Sequence, residues 1–284
     1  MEYGIRLARL AEPPRDPRDA CPPPWRELLP EGRATALYFG SEFCEDRLPG
    51  SDEARAFCAL ARDRGLEPTL LTPLVTPRGL EGVDRLLAAL AAGGFEPAVV
   101  FNDWGVLGLL RERHPSLPRR AGRLMNRSSR DPRAYRSAPD GAAPDGAATH
   151  DGSRFSRLHA LFAAIGVAAV ESDPDLDGGY LGDGPDGAAG GLARALHLPY
   201  TFAASGRNCP LKALRYPEGN GFSKALADPC PAPCRTGPVP VTREDSPLPH
   251  WRAGNTLFYE IPAAVAQDWL AHADRIVLHP EATP

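Results

Sequence analysis

The stretch EPTLLTPLVTPRGLEGVDRLLAALAAGGFEPAVVFN, residues 67–102, decides the fold. It opens on a β-rich run, 67–72, and closes on another, 97–102. Between them Leu80, Val83, Leu87 and Leu90 recur at spacings of three and four, the stripe of an amphipathic helix over 79–92. Strand, helix, strand is the unit that joins two parallel strands by a crossover.

Working outward, the same alternation runs along the chain. Further β-rich runs lie at 3–9, 35–41, 121–126, 166–170, 198–204 and 274–279. In 51–64, Ala54, Phe57, Cys58 and Ala61 share a helical face, with Ser51 placed to cap the start and Gly65 the stop. In 155–165, Phe155, Leu158, Leu161, Phe162 and Ile165 do the same, ended by Gly166. Eight such strands predict a closed α/β barrel of the TIM type, a (β/α) fold with a cysteine-bearing C-terminal insertion after the seventh strand. An open doubly wound sheet would call for a glycine-rich strand-to-helix turn, and none is found. The reading is of one domain over 1–284, with low-complexity loops at 131–154 and 177–191 where PDGAA and its variants repeat without a hydrophobic period.

The 284 residues suffice for a substantial core, and a net charge of −4 gives no general pull toward nucleic acid or membranes. No apolar run approaches the length of a membrane span. The start, MEYGIRLARLAEPPRDPRD, lacks the layout of a secretion signal, so a cytoplasmic location is expected. In that reducing setting six cysteines read as ligands or core thiols rather than as disulfides.

Polar residues fall where strands end, which in a parallel barrel is one rim. Cys44 follows 35–41; Asn102 and Asp103 close 97–102; Asn126 ends 121–126; Glu171 follows 166–170; Ser205, Gly206, Arg207, Asn208 and Cys209 follow 198–204. The segment DPCPAPCRTG, 228–237, adds Cys230 and Cys234 on a loop stiffened by prolines. Four thiolates from Cys44, Cys209, Cys230 and Cys234 can therefore meet, as an iron–sulfur cluster requires. On spacing alone a zinc site or unliganded thiols stay open. Cys58 sits on the apolar stripe of its helix, and Cys21 has no evident partner. Most of the seven histidines read as solvated loop residues, and no Ser/His/Asp or Cys/His arrangement is found.

At these residues the chain resembles the collagenase-like peptidase family, and within it the UbiV-like iron–sulfur branch. The similar stretches, in order, are ALYFGSEFCEDR, LLTPLVTPRGLEGVDRLLAAL, VVFNDWGVLGLL, LMNRSS and LPYTFAASGRNC followed by C-x₃-C. The resemblance implies a barrel holding a 4Fe–4S cluster on Cys44, Cys209, Cys230 and Cys234. It also implies a UbiU-like partner in a heterodimer and a part in oxygen-independent hydroxylation during ubiquinone biosynthesis. The substrate it implies is a small aromatic or quinone precursor, with prephenate implicated as oxygen donor. The chain would then be a subunit of a hydroxylase rather than a peptidase. The peptidase branch carries Glu and His before its Ser-Gly-Arg-Cys, whereas LPYTFAA here has neither.

Arg47 and Arg207, each within three residues of a ligand cysteine, are candidates to hold a carboxylate. Asn102, Asp103 and Asn126 are candidates to line the same pocket, with helix capping as the competing role for Asp103. A different reading comes from 111–136, where nine arginines (111, 113, 119, 120, 123, 127, 130, 133, 136) face two acids, Glu112 and Asp131. Some relatives in the family hydroxylate RNA, and such a run would suit a phosphate backbone.

Overall fold

The computed structural model describes residues 1–125, 130–133, 153–174, 176, 192–216, 219 and 221–284. Seven parallel strands come first: β1 (Glu2–Arg6), β2 (Arg33–Gly40), β3 (Glu67–Leu71), β4 (Ala98–Phe101), β5 (Arg119–Ala121), β6 (Ala169–Ser172) and β7 (Ala193–Leu198). An excursion follows that contains β8 (Tyr200–Ser205), β9 (Val239–Val241), β10 (His250–Ala253) and β11 (Thr256–Glu260). The chain then returns as β12 (Arg275–Leu278), which pairs in parallel with both β7 and β1 and closes an eight-stranded barrel. Strands β8 to β11 form a separate antiparallel sheet in the order β8-β11-β10-β9. The insertion thus follows the seventh barrel strand, as the sequence predicts.

The connecting helices are α1 (Pro23–Leu28), α2 (Ser51–Asp63), α3 (Pro77–Ala92), α4 (Trp104–Arg113) and α5 (Ser153–Ala164). Two short ones, α6 (Pro210–Ala213) and α7 (Gly221–Ala227), lie in the insertion, and α8 (Ala263–Leu270) precedes β12. Each long helix lays its apolar stripe on the barrel. On α2, Ala54, Phe57, Cys58 and Ala61 are buried, and Phe57 stacks on Phe39 of β2 with ring centroids 5.1 Å apart. Burying one such side chain contributes about 1.5–3 kcal/mol. Gly50, not Ser51, occupies the N-cap of α2, and no side chain caps it. On α3, Thr76 caps by accepting from the Gly79 amide at 3.1 Å, and Pro77 occupies the first turn, where its missing N–H costs nothing.

Inside the barrel Ala36, Tyr38, Leu71, Val100, Ala195 and Val277 pack together. Tyr38 has room only because residue 4 is glycine: a Cβ there would collide with its ring. The interior is not wholly apolar, since Arg120, Glu171 and His197 are buried within it.

Three strand expectations need correction. The run 198–204 is not a barrel strand; β8 pairs antiparallel with β11, and the seventh barrel strand is β7, just before it. From Ala195 on β7 is buried throughout, so it shows no alternation, and it carries Arg194 and His197. The fifth strand ends at Ala121, and Arg123–Met125 forms a 3-10 turn in place of the rest of 121–126. Glu171 lies within β6 and is fully buried, not on a loop past it. The repeats of 131–154 and 177–191 fall almost wholly outside the described residues, as does Asn126.

Candidate functional site

Four segments bring sulfur to one end of the barrel. Cys44 follows β2; its amide donates to Ser41 Oγ at 3.2 Å, and it starts a 3-10 turn, Glu45–Arg47. The Glu45 carboxylate accepts from the Thr76 amide at 2.7 Å and from Thr76 Oγ1, which ties that turn to the start of α3. Cys209 occupies the N-cap of α6, where its Sγ accepts from the Lys212 amide at 3.4 Å. The Cys230 Sγ accepts from the Ala232 amide at 3.4 Å, and Ala232 is held at φ 52°, the left-handed region that alanine avoids. Cys234 lies on the 3-10 turn Pro233–Thr236.

Two side chains lock these segments together. Asn255, between β10 and β11, donates through Nδ2 to the Phe43 carbonyl at 2.5 Å and to the Gly206 carbonyl at 2.7 Å. It thereby joins the residue before Cys44 to the loop before Cys209. Lys212, almost fully buried, donates to the Asp228 carbonyl near Cys230, and its ammonium stands 3.8 Å from the Asp46 carboxylate.

The electrostatics place the four sulfurs in one neighbourhood. Burial pushes the Cys44 thiol up to about 12, and the Asp46 carboxylate, Cys234 and Cys230 add to the rise. Burial also raises Cys209, with Cys230 adding. Cys234 is raised by burial, opposed by the Arg47 guanidinium and reinforced by Cys209 and Cys230. Cys21 and Cys58 are pushed up as well, but by burial with Glu260 and by burial alone, and none of the four touches them electrostatically. The four are thus set apart from the two core thiols. Thiols held protonated must release protons when a metal binds, so binding would be favoured by rising pH. Among the described residues, no three His, Cys, Asp or Glu side chains form a group that could hold a single metal ion.

Two cavities open on the cysteines. One, about 650 Å³, is bordered by Cys44 and Cys230 together with Arg78, Arg85, Arg207 and Lys212. The other, about 250 Å³, is bordered by Cys234, Arg9, Arg47 and Arg235. Arg47 and Arg207 therefore stand on different cavities. Asn102 and Asp103 are occupied elsewhere. Asn102 is buried, donates to the Thr72 carbonyl and accepts from the Leu124 amide, both at 2.9 Å. Gly122 leaves the space it needs, since a Cβ there would overlap the Asn102 amide. Asp103 caps α4, accepting from the Gly105 amide at 2.6 Å, and also accepts from the Val75 amide.

Several charged groups in and above the barrel escape the sequence reading. Arg123, fully buried, donates to Glu42 and, at 2.7 Å, to Asp173; Arg130 reaches the other Asp173 oxygen at 3.0 Å and lies over the Phe202 ring. Beneath them Glu171 accepts from Arg120 and pairs with His197 at 2.8 Å; His197 in turn meets His279 at 2.8 Å. Burial alone would raise the Glu171 carboxyl, but Arg120 and His197 outweigh it and hold it below the usual carboxylate range. His279 is held well below the usual imidazole range, by burial first and then by the Arg123, His197 and Arg6 charges. The Glu171 carboxylate accepts from His197 Nε2, and His197 Nδ1 faces His279 Nε2, so of those two ring nitrogens one donates and the other accepts. His159 and His250 are buried too, so the expectation that most histidines are solvated does not hold.

The basic run of 111–136 is largely consumed within the chain. Arg113 pairs with Asp84, Arg120 with Glu171, Arg123 with Glu42 and Asp173, Arg130 with Asp173, and Arg133 with Asp131. Arg127 and Arg136 lie outside the described residues. No helix among the described residues is long and apolar enough to cross a membrane.

No family model matches the chain, and no curated protein does. Among solved structures the chain is similar to the U32 peptidase Mk0906, at 12% identity and a TM-score of 0.43, over 100% of this chain and 94% of that one.

Proposed function

We propose that the chain is an iron–sulfur protein whose 4Fe–4S cluster is held by Cys44, Cys209, Cys230 and Cys234, and that it serves as a UbiV-like component of an oxygen-independent hydroxylation system in ubiquinone biosynthesis, with a UbiU-like partner. The observation that carries the cluster is that Cys44 and Cys230 border one cavity while charge coupling links both Cys44 and Cys209 to Cys230 and Cys234, with Cys21 and Cys58 outside that set. The donor set fits: four soft thiolates with no carboxylate or imidazole among them are the ligands of iron–sulfur clusters. Zinc is the competing occupant, and it would need its four sulfurs about 2.3 Å from one point. The amides of Lys212 and Ala232, each directed at a sulfur, are the donors that stabilise bound thiolate charge. Such a cluster supplies one-electron transfer.

The wider role rests on the ordered motifs of the sequence. Guanidinium groups, carboxylates and apolar residues together line the two cavities beside the cysteines.

The test of the cluster is purification without oxygen followed by iron and acid-labile sulfide analysis. About four of each per chain is expected; zinc, or no metal at all, would overturn the reading. For the wider role, cells of the source organism lacking this chain should accumulate under-hydroxylated ubiquinone precursors only when grown without oxygen. Unaltered ubiquinone in such cells would remove the assignment.

A further inference from the structure

Three large apolar side chains face water on neighbouring elements of the barrel. Leu74 precedes α3, Trp104 begins α4 and Leu161 lies in the last turn of α5, exposed by 42%, 55% and 47%. One such residue alone is ordinary, whereas a group of them marks an interaction surface. Two contacts keep the three near one another. The amide of Val75, next to Leu74, donates to the carboxylate of Asp103, next to Trp104, at 3.3 Å. The Trp104 ring lies 5.9 Å from the ring of Phe162, next to Leu161.

Arginines flank the group. Arg78 is in the first turn of α3, Arg111 lies on the same face of α4 as Trp104, and Arg157 stands one turn before Leu161 on α5. All three are exposed, and none has an ion pair or hydrogen bond among the described residues. The acids of α3 are engaged, Glu81 by Arg85 and Asp84 by Arg113, which leaves Glu112 as the one remaining acid of these helices. Three free cations thus face one acid, in a chain whose net charge is −4. A second copy of the chain would set like charge against like across a twofold axis. A specific protein partner would use a recess or a strand edge, but Trp104 and Leu161 border neither cavity and the barrel sheet is closed. A lipid surface needs neither. Protruding apolar side chains enter its headgroup region, tryptophan above all, while arginines stay with the phosphates.

We propose that this face rests on an anionic lipid surface, with Leu74, Trp104 and Leu161 entering it and Arg78, Arg111 and Arg157 on its phosphates. Leu74 also borders the larger cavity, so the lipid would meet the protein beside the opening next to Cys44 and Cys230. The proposal does not rest on the cluster.

The test is sedimentation of the oxygen-free protein with vesicles of phosphatidylglycerol or of phosphatidylcholine, with tryptophan emission and iron read on the same samples. Phosphatidylglycerol should pellet the protein and shift its emission to the blue, because Trp104 is the one fully exposed tryptophan of the four. Phosphatidylcholine should bind at least tenfold more weakly. Replacing Arg78, Arg111 and Arg157 together by glutamine should weaken binding about a hundredfold, at about 1 kcal/mol for each charge. Trp104→Ser should abolish the shift. Since that change also removes the Phe162 contact, Leu161→Ser on the outer face supplies a second readout: binding at least threefold weaker at an unaltered melting temperature. Leu10→Ser, exposed after β1, should change nothing. The proposal is overturned if neither vesicle pellets the protein, if phosphatidylcholine binds as tightly as phosphatidylglycerol, or if Trp104→Ser and Leu161→Ser both bind like the parent. It is overturned too if the blue shift comes from a short single-stranded RNA or from self-association, and not from vesicles. Unaltered vesicle binding in samples without iron would sustain this proposal while removing the cluster.

Discussion

Replacing Asn255 by alanine would remove both hydrogen bonds that join the Cys44 loop to the Cys209 loop. The Phe43 carbonyl is buried, so water cannot replace its lost donor; an unsatisfied buried group costs about 1–3 kcal/mol. The Gly206 carbonyl is only partly buried, and water can take over some of that bond, leaving a net loss of about 0.5–1.5 kcal/mol. Thr256 Oγ1 keeps Ser205 Oγ at 3.0 Å as a partner, so it adds little. The sum is about 1.5–4.5 kcal/mol. Asn255→Asp separates hydrogen bonding from packing, because it keeps the shape but turns the donor into an acceptor facing two carbonyls. It should cost at least as much as alanine. Urea unfolding followed by circular dichroism gives the stability change, provided the slope is unaltered. Iron content on the same samples should fall in both variants, because the loops that carry Cys44 and Cys209 are no longer fixed to each other. An aspartate variant within about 0.5 kcal/mol of the parent, a change typical of a surface site, would refute the idea that donation from Asn255 assembles the site.

Arg123→Met leaves Glu42 and Asp173 buried without their shared cation, so urea unfolding should show a loss of about 3–5 kcal/mol; a loss under about 1 would mean the pair is not desolvated. Glu171 titrates near 4.5 when unfolded and lower when folded, so its contribution is complete above about pH 4.5 and is lost as the pH falls from there toward 2. Accordingly the stability gap between the parent and Glu171→Gln should shrink as pH drops through that window, and a constant gap would contradict the pairing with Arg120 and His197. Ala232→Gly should be neutral or stabilising by up to about 1 kcal/mol, since it relieves the left-handed φ, whereas Ala232→Val should destabilise. Equal effects from glycine and valine would count against that conformation.

The barrel is legible where a strand has turn signals on both sides and a helix stripe next to it, as around 67–102. It becomes illegible at Ala193–Leu198, which from Ala195 onward is buried on both sides of the sheet and which carries charged and imidazole side chains. The antiparallel sheet of the insertion is hidden for another reason: Val239–Val241 contains Pro240 and lies at a sheet edge, where few residues specify it. Of the four cysteines, Cys44 follows a barrel strand as the sequence predicts, whereas Cys209 follows β8 of the antiparallel sheet, so strand ends alone do not explain their placement. The partners that position them cannot be read from the sequence, because Asn255 and Lys212 act across more than one segment and carry no local pattern. Likewise the arginines of 111–136 look like a basic surface in one dimension, whereas Arg120 and Arg123 point into the barrel and its mouth and find acids contributed by β6, by the residues just after it and by the segment before Cys44.

The most direct measurement is iron and acid-labile sulfide per chain in six single Cys→Ser variants prepared without oxygen. The account predicts that serine at position 44, 209, 230 or 234 lowers both sharply, and that serine at 21 or 58 leaves both at the parent value. Full retention in any of the first four, or loss confined to the last two, would contradict it.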